Sequence, residues 1–99
     1  MNVRFEWDED KNLSNQRKHG VSFEQAAQVF LDPLHLTVLE RVEKGEERWQ
    51  TFGLSGGILL VMVAHTVVED DTDGHSIDVI RIISARLATG EERRRYENG

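Results

Sequence analysis

Between Ile58 and Val68 the chain carries an almost unbroken run of aliphatic and β-branched residues, and no other feature restricts its fold as much. The longest wholly apolar part, Ile58 to Ala64, is too short to cross a bilayer, so protein must bury it. Its residue types, with the hairpin dipeptide Gly56-Gly57 in front, predict a strand covered on both faces and central in its sheet. A chain of 99 residues supports one core, so a single domain over 1–99 is expected.

The segments on either side place the other elements. Phe5 and Trp7 alternate with Arg4 and Glu6, a short strand pattern that stops at Asp8. Asp8 caps a helix with Glu9 and Asp10 in its first turn and Arg17, Lys18 and His19 in its last, signs that suit the helix dipole at both ends. Gly20 fits the left-handed position that ends it. Ser22 and Gln25 form a capping box for a second helix whose core stripe is Phe23, Ala26, Ala27 and Phe30, ended by Asp32-Pro33. From His35 the hydrophobic period becomes two. Strands are expected from there to the turn Glu43-Lys44-Gly45-Glu46, over Arg48 to Leu54, over Ile58 to Val68, and over Ile77 to Ala85. Thr89 and Glu92 then open a last helix with a second capping box. The order is β-α-α-β-β-β-β-α, an α+β fold with an antiparallel sheet packed against helices.

The chain has no cysteine, which removes disulfides, thiolate nucleophiles and thiolate metal sites together. The first residues, Met1-Asn2-Val3-Arg4, have no apolar stretch behind them, so a cytoplasmic location without a membrane span is expected. Twelve Lys and Arg stand against 18 Asp and Glu, a formal net charge of −6 that argues against indiscriminate binding of nucleic acid by the whole surface. The charges are unevenly spread. Glu69, Asp70, Asp71, Asp73 and Asp78 form an acidic connection without Lys or Arg, whereas from Arg81 onward five arginines face three glutamates.

Several residues carry chemistry. If Gly56 and Gly57 are the whole hairpin loop, Arg48 lies directly opposite His65, and a cation and an imidazole share one site. The guanidinium then favours neutral imidazole, able to accept a proton. The alternative is that His65 is a satisfied core histidine while Arg48 pairs with Glu46 or Glu47. Arg81 interrupts an apolar strand and must be paired, with Asp78 or a helix carboxylate, or face a polar cleft. Arg81 and Arg86 fall on opposite faces unless the strand ends or bulges near Ser84-Ala85. The run Arg93-Arg94-Arg95 reads as a solvated face with Glu91 as an i,i+4 partner for Arg95. Tyr96 reads as packing or as a stacking group, and Lys18-His19 as phosphate contacts or dipole complements. The histidines His19, His35, His65 and His75 have no metal-ligand spacing, and no nucleotide-binding loop appears, so neither a metal nor another cofactor is expected.

Taken together, Phe5-Glu6-Trp7-Asp8, Lys11-Asn12, Asn15, Lys18-His19-Gly20-Val21-Ser22-Phe23, Val29-Phe30 and Asp32-Pro33 resemble the opening of the BrnT toxin family. Glu47-Arg48, Gly53, Val63-Ala64-His65-Thr66, Arg81 to Arg86, Ala88-Thr89, Glu92-Arg93-Arg94 and Tyr96-Glu97 extend the likeness over nearly the whole chain. The resemblance implies a RelE/ParE-like fold and the toxin of a type II toxin–antitoxin pair. It implies a metal-free endoribonuclease of the mRNA interferase type, working by attack of a ribose 2′-OH on the adjacent phosphate. The implied partners are RNA as substrate and a BrnA-like ribbon-helix-helix antitoxin, in a hetero-oligomer that reaches promoter DNA only through the antitoxin. On this view His65 is base or acid, Arg48, Arg81 and Arg86 stabilise phosphate and the transition state, and Lys18, His19, Arg93 and Tyr96 contact RNA. The chain departs from the family in its long acidic connection, Val68 to Ser76, and in Leu87 where a basic residue is frequent. Both lower the positive potential beside the expected site, and a catalytically weak homologue acting as a co-repressor is the alternative.

Overall fold

The computed structural model describes residues 2–99. Its elements are β1 (Val3–Glu6), α1 (Glu9–His19), α2 (Phe23–Gln28) continued by a 3₁₀ turn (Val29–Leu31), β2 (Leu36–Glu43), β3 (Glu46–Ser55), β4 (Leu59–Asp70), β5 (Ile77–Leu87) and α3 (Gly90–Glu97). The order matches the sequence reading, and so do the caps. The Asp8 carboxylate accepts the N–H groups of Asp10 and Lys11, Gly20 closes α1 with φ of 72°, and the capping boxes of Ser22 and Thr89 are both complete. The turn between β2 and β3 carries Lys44 and Gly45 at φ of 51° and 77°, the paired positive values a tight hairpin requires.

The strands form one sheet of order β1-β5-β4-β3-β2, with β4 in the middle as its apolar run requires. β1 runs parallel to β5, so the sheet is mixed and the all-antiparallel expectation is corrected. Three hairpins force β2 to β5 to alternate in direction, but β1 reaches β2 only through two helices, so no hairpin dictates its sense. α1, α2 and the 3₁₀ turn cover one face. There Val21, Phe23, Ala26 and Val29 meet Val61, Val63, Ile80, Ile82 and Ala85 in the main core. Val29 lies so close to β3 that a Cβ on Gly53 would come within 2.9 Å of Val29 Cγ1.

Helix α1 is held by polar groups. Its buried residues are Asn12 and Asn15. The Asn12 Oδ1 accepts the Phe23 N–H at 2.8 Å, while Asn15 donates to the carbonyls of Val21 and Ala85 at 2.8 Å and accepts the Ala85 N–H at 3.2 Å. Asn15 thus serves both backbone groups of a strand residue, as a neighbouring strand would. No helix of the described residues is long and apolar enough to cross a membrane.

One register and the strand lengths differ from expectation. The β3–β4 loop holds three residues, Gly56, Gly57 and Ile58, because Ser55 pairs with Leu59. This moves every pair by one residue: Trp49, not Arg48, opposes His65. The strands around the acidic segment are also longer than expected, since β4 continues through Glu69 and Asp70.

Candidate nucleic-acid face

The one-residue shift separates the two groups expected to share a site. His65 points to the helix side, 1% exposed, with the Phe30 ring edge-on at 5.1 Å between centroids. Its Nδ1 lies 3.3 Å from the Thr66 carbonyl, which can only accept, so Nδ1 carries the proton. Nε2 then accepts from the Thr51 hydroxyl at 2.7 Å, and Thr51 accepts from Thr37 at 2.8 Å. Burial pushes the imidazole pKa down to about 4, against a weaker opposite effect of the Thr66 carbonyl. His65 is therefore the satisfied core histidine of the alternative reading.

Arg48 falls on the opposite face, open in that neither α1 nor α2 covers it, with Gln50 and Phe52, although Phe52, Met62 and Thr66 of that face are buried. Its guanidinium pairs with Glu46 at 3.2 Å, as that same reading anticipated, and its Nε is buried without a partner. Thr66 occupies the same face of β4, and Arg81 of β5 is its direct neighbour. The partner of Arg81 is neither Asp78 nor a helix carboxylate but Glu6 of β1, at 3.4 Å. Between Ala64 and His65 the β4–β5 register shifts, leaving Ile83 as the extra residue of a bulge. The bulge brings Arg86, opposite Met62, onto the face of Arg81. The condition set for their convergence is met, one residue before Ser84.

Arg86 is gripped from α3, with its two terminal nitrogens 2.8 and 3.0 Å from the Glu92 carboxylate. That bidentate hydrogen bond raises the Arg86 pKa and holds the Glu92 carboxyl below its ordinary value. Glu92 also accepts the Thr89 N–H, so one side chain caps α3 and positions the arginine. At its far end α3 is tied down by Tyr96, whose hydroxyl donates to Asp32 at 2.5 Å. That hydrogen bond pushes the Tyr96 pKa up to about 12. Burial alone would raise the Asp32 pKa, but hydrogen bonds from the Leu54 N–H, Tyr96 and the Leu34 N–H outweigh it and hold the carboxyl low.

A groove of about 570 Å³ opens on this face between Arg4, Glu6, Glu46, Thr66, Asp70 and Arg81. Arg4 pairs across it with Asp70 at 3.5 Å. Lys18 and His19 stand exposed on the last turn of α1, in the helix layer, and are not brought to the arginines of the open face. Arg93 is exposed on α3, and no ion pair joins Glu91 to Arg95 among the described residues. Among those residues no group of three or more His, Cys, Asp or Glu is placed to hold a metal ion.

Sequence reasoning missed Glu6, Glu46 as a groove wall, Thr66 and the Asp32–Tyr96 pair. The pairs Glu6–Arg81 and Asp32–Tyr96 join residues 75 and 64 apart, beyond the reach of any local spacing.

No curated protein matches this chain. The crystal structure of the Brucella abortus ribonuclease toxin BrnT is similar in fold, at 23% identity, covering 90% of this chain and 99% of that one with a TM-score of 0.59. A family model described as the ribonuclease toxin BrnT of type II toxin–antitoxin systems matches residues 7–92. Since that match spans most of the domain, from Trp7 to the Glu92 that grips Arg86, the chain belongs to the BrnT family of ribonuclease toxins.

Proposed function

We propose that this toxin cleaves RNA on the open face of its sheet, with Arg48, Arg81 and Arg86 binding the phosphate and stabilising the charge that develops on it. The observation that carries the reading is that Arg48 of β3 and Arg81 of β5 share the face of Thr66, onto which the bulge at Ile83 also turns Arg86, farther along β4 opposite Met62. The reaction is attack of the ribose 2′-OH on the adjacent phosphate, independent of metal: the 2′-oxygen loses its proton and bonds to phosphorus, the bond to the 5′-oxygen breaks, that oxygen leaves protonated, a 2′,3′-cyclic phosphate remains, and guanidinium groups supply the countercharge. His65 serves as a positioning residue: its bonds to Thr51 and the Thr66 carbonyl hold β3 against β4 behind the arginines. Glu46 and Glu6, beside Arg48 and Arg81, are the carboxylates within reach of a 2′-OH proton. Arg93 and Tyr96 extend the surface from α3, while Lys18 and His19 meet RNA only where a strand wraps into the helix layer. An mRNA interferase of RelE/ParE-like architecture with a BrnA-like ribbon-helix-helix antitoxin, bound to promoter DNA through that antitoxin, completes the reading.

The test is cleavage of purified RNA by the isolated protein in EDTA. Wild type is expected to cleave, and Arg48→Ala and Arg81→Ala to lose roughly two orders of magnitude in rate, the scale of a lost transition-state contact. Full activity in either variant, or dependence on added metal, would overturn the mechanism.

A second reading has an observation of its own. Each sheet arginine of the open face is held by a carboxylate, Arg4 by Asp70, Arg41 by Glu43, Arg48 by Glu46, Arg81 by Glu6 and Arg86 by Glu92. A phosphate must displace these partners, which favours a weak catalyst acting mainly as a co-repressor. Growth arrest on expression without the antitoxin would exclude it.

A further inference from the structure

We propose that the helix-side end of the sheet that no helix covers is the docking surface for an extended, basic and aliphatic segment of the antitoxin. The proposal rests on the family assignment for the existence of that partner and supplies its chemistry. Along β3 and β4 the residues that face the helices continue outward as Trp49 and Glu47, and as Val67 and Glu69. Leu39 of β2 and Val67 of β4 are 46% and 41% exposed there. A groove of about 430 Å³ lies between Thr37, Glu47, Trp49, Val67, Glu69 and Asp78, with no Lys or Arg in its wall.

Glu69 and Asp78 are direct cross-strand neighbours. Like charges at that spacing repel, and neither of them, nor Glu47, is in an ion pair among the described residues. The open face, by contrast, pairs each of its arginines. An indole ring, two exposed aliphatic side chains and three uncompensated carboxylates fit Arg or Lys set among aliphatic residues: the carboxylates pair with the cation and the indole receives it on its ring face. The same carboxylates repel a phosphate backbone, so RNA is a poor occupant. β2 is the edge strand, with one side of its backbone unpaired. An extended segment adding along it sets alternate side chains beside Thr37 and Leu39, toward Trp49.

The probe is a short synthetic peptide alternating leucine and arginine, titrated calorimetrically into the full chain. A leucine–glutamate counterpart and a short single-stranded RNA serve as controls. Saturable binding of the leucine–arginine peptide is expected, roughly tenfold or more weaker in the triple variant Glu47→Gln, Glu69→Gln, Asp78→Asn. Binding should be unchanged in Glu9→Gln, Asp10→Asn, which removes acidic charge elsewhere. The triple variant relieves repulsion, so its melting temperature should not fall, and Trp49→Leu supplies an independent loss of binding. Undiminished binding by the triple variant, equal binding of either control, or no binding at all would overturn the proposal. Glu69 also lines the groove beside Arg81, so the RNA arm uses the double variant Glu47→Gln, Asp78→Asn, whose cleavage is expected to persist. Wild type that binds the peptide but cleaves no RNA would count against the ribonuclease reading alone.

Discussion

Neutral imidazole is the form of His65 that its surroundings can hold. The ring is closed off by Phe30 and donates to a carbonyl from Nδ1, so protonating Nε2 would place a charge in the core against the Thr51 hydroxyl. The pKa is about 4 in the folded chain against an ordinary 6.5. Between these values the unfolded chain binds a proton that the folded chain does not, so stability rises with pH. His65 imposes no penalty above 6.5, and its contribution is lost as pH falls toward 4. The loss is on the order of 3 kcal/mol. Urea unfolding across that window should show the decline in wild type and a flatter profile in His65→Gln. Asn15 makes a different point at the same scale. Asn15→Ala strands the Ala85 N–H and two carbonyls in a buried place, and a loss of about 2–4 kcal/mol in unfolding free energy is expected. Both residues stand out in the sequence, but a sequence cannot say that one is sealed and the other plays the part of a strand.

The elements meet through close backbone approaches, not only through apolar stripes. The 3₁₀ turn rests directly on β3, and Gly53→Ala would drive a methyl group to 2.9 Å from Val29 Cγ1 and 3.1 Å from the Val29 carbonyl. Since the carbonyl cannot rotate away, the variant should lose about 1–3 kcal/mol, read as a lower urea midpoint with an unchanged slope. The starts of α1, α2 and α3 and the end of α1 were legible because a cap is a contact between residues two to four apart. The end of α2 was less so: its last turn tightens to 3₁₀ before Asp32, where the carboxylate accepts the Leu54 and Leu34 N–H groups and leaves the helix path.

Across the whole molecule the excess of acid is arranged by face. The open face uses carboxylates to hold its arginines, while the uncovered end of the helix side leaves its carboxylates without partners. Glu46→Gln should free the Arg48 guanidinium for phosphate. RNA binding at low salt is expected to tighten several-fold, and the salt dependence of log K to steepen by roughly one phosphate equivalent. Filter binding at a series of salt concentrations checks both, and unchanged affinity would mean that Glu46 does not compete with RNA. The acidic connection was legible as a source of repulsion. That part of it continues β4, with Asp70 reaching Arg4, was not.

The order of elements, their caps, the central place of the Ile58 to Val68 run and the membership of the BrnT family follow from residues and spacings alone, because each depends on a local period, a neighbouring pair or a motif. Which side chains share a face does not follow. Strands repeat every two residues, so a loop of three residues in place of two moved Arg48 away from His65, and one bulged residue at Ile83 turned Arg86 onto the face of Arg81. Register is set by packing among distant parts of the chain, such as Val29 on Gly53 and Asn15 on Ala85, and so the candidate site took shape only in three dimensions.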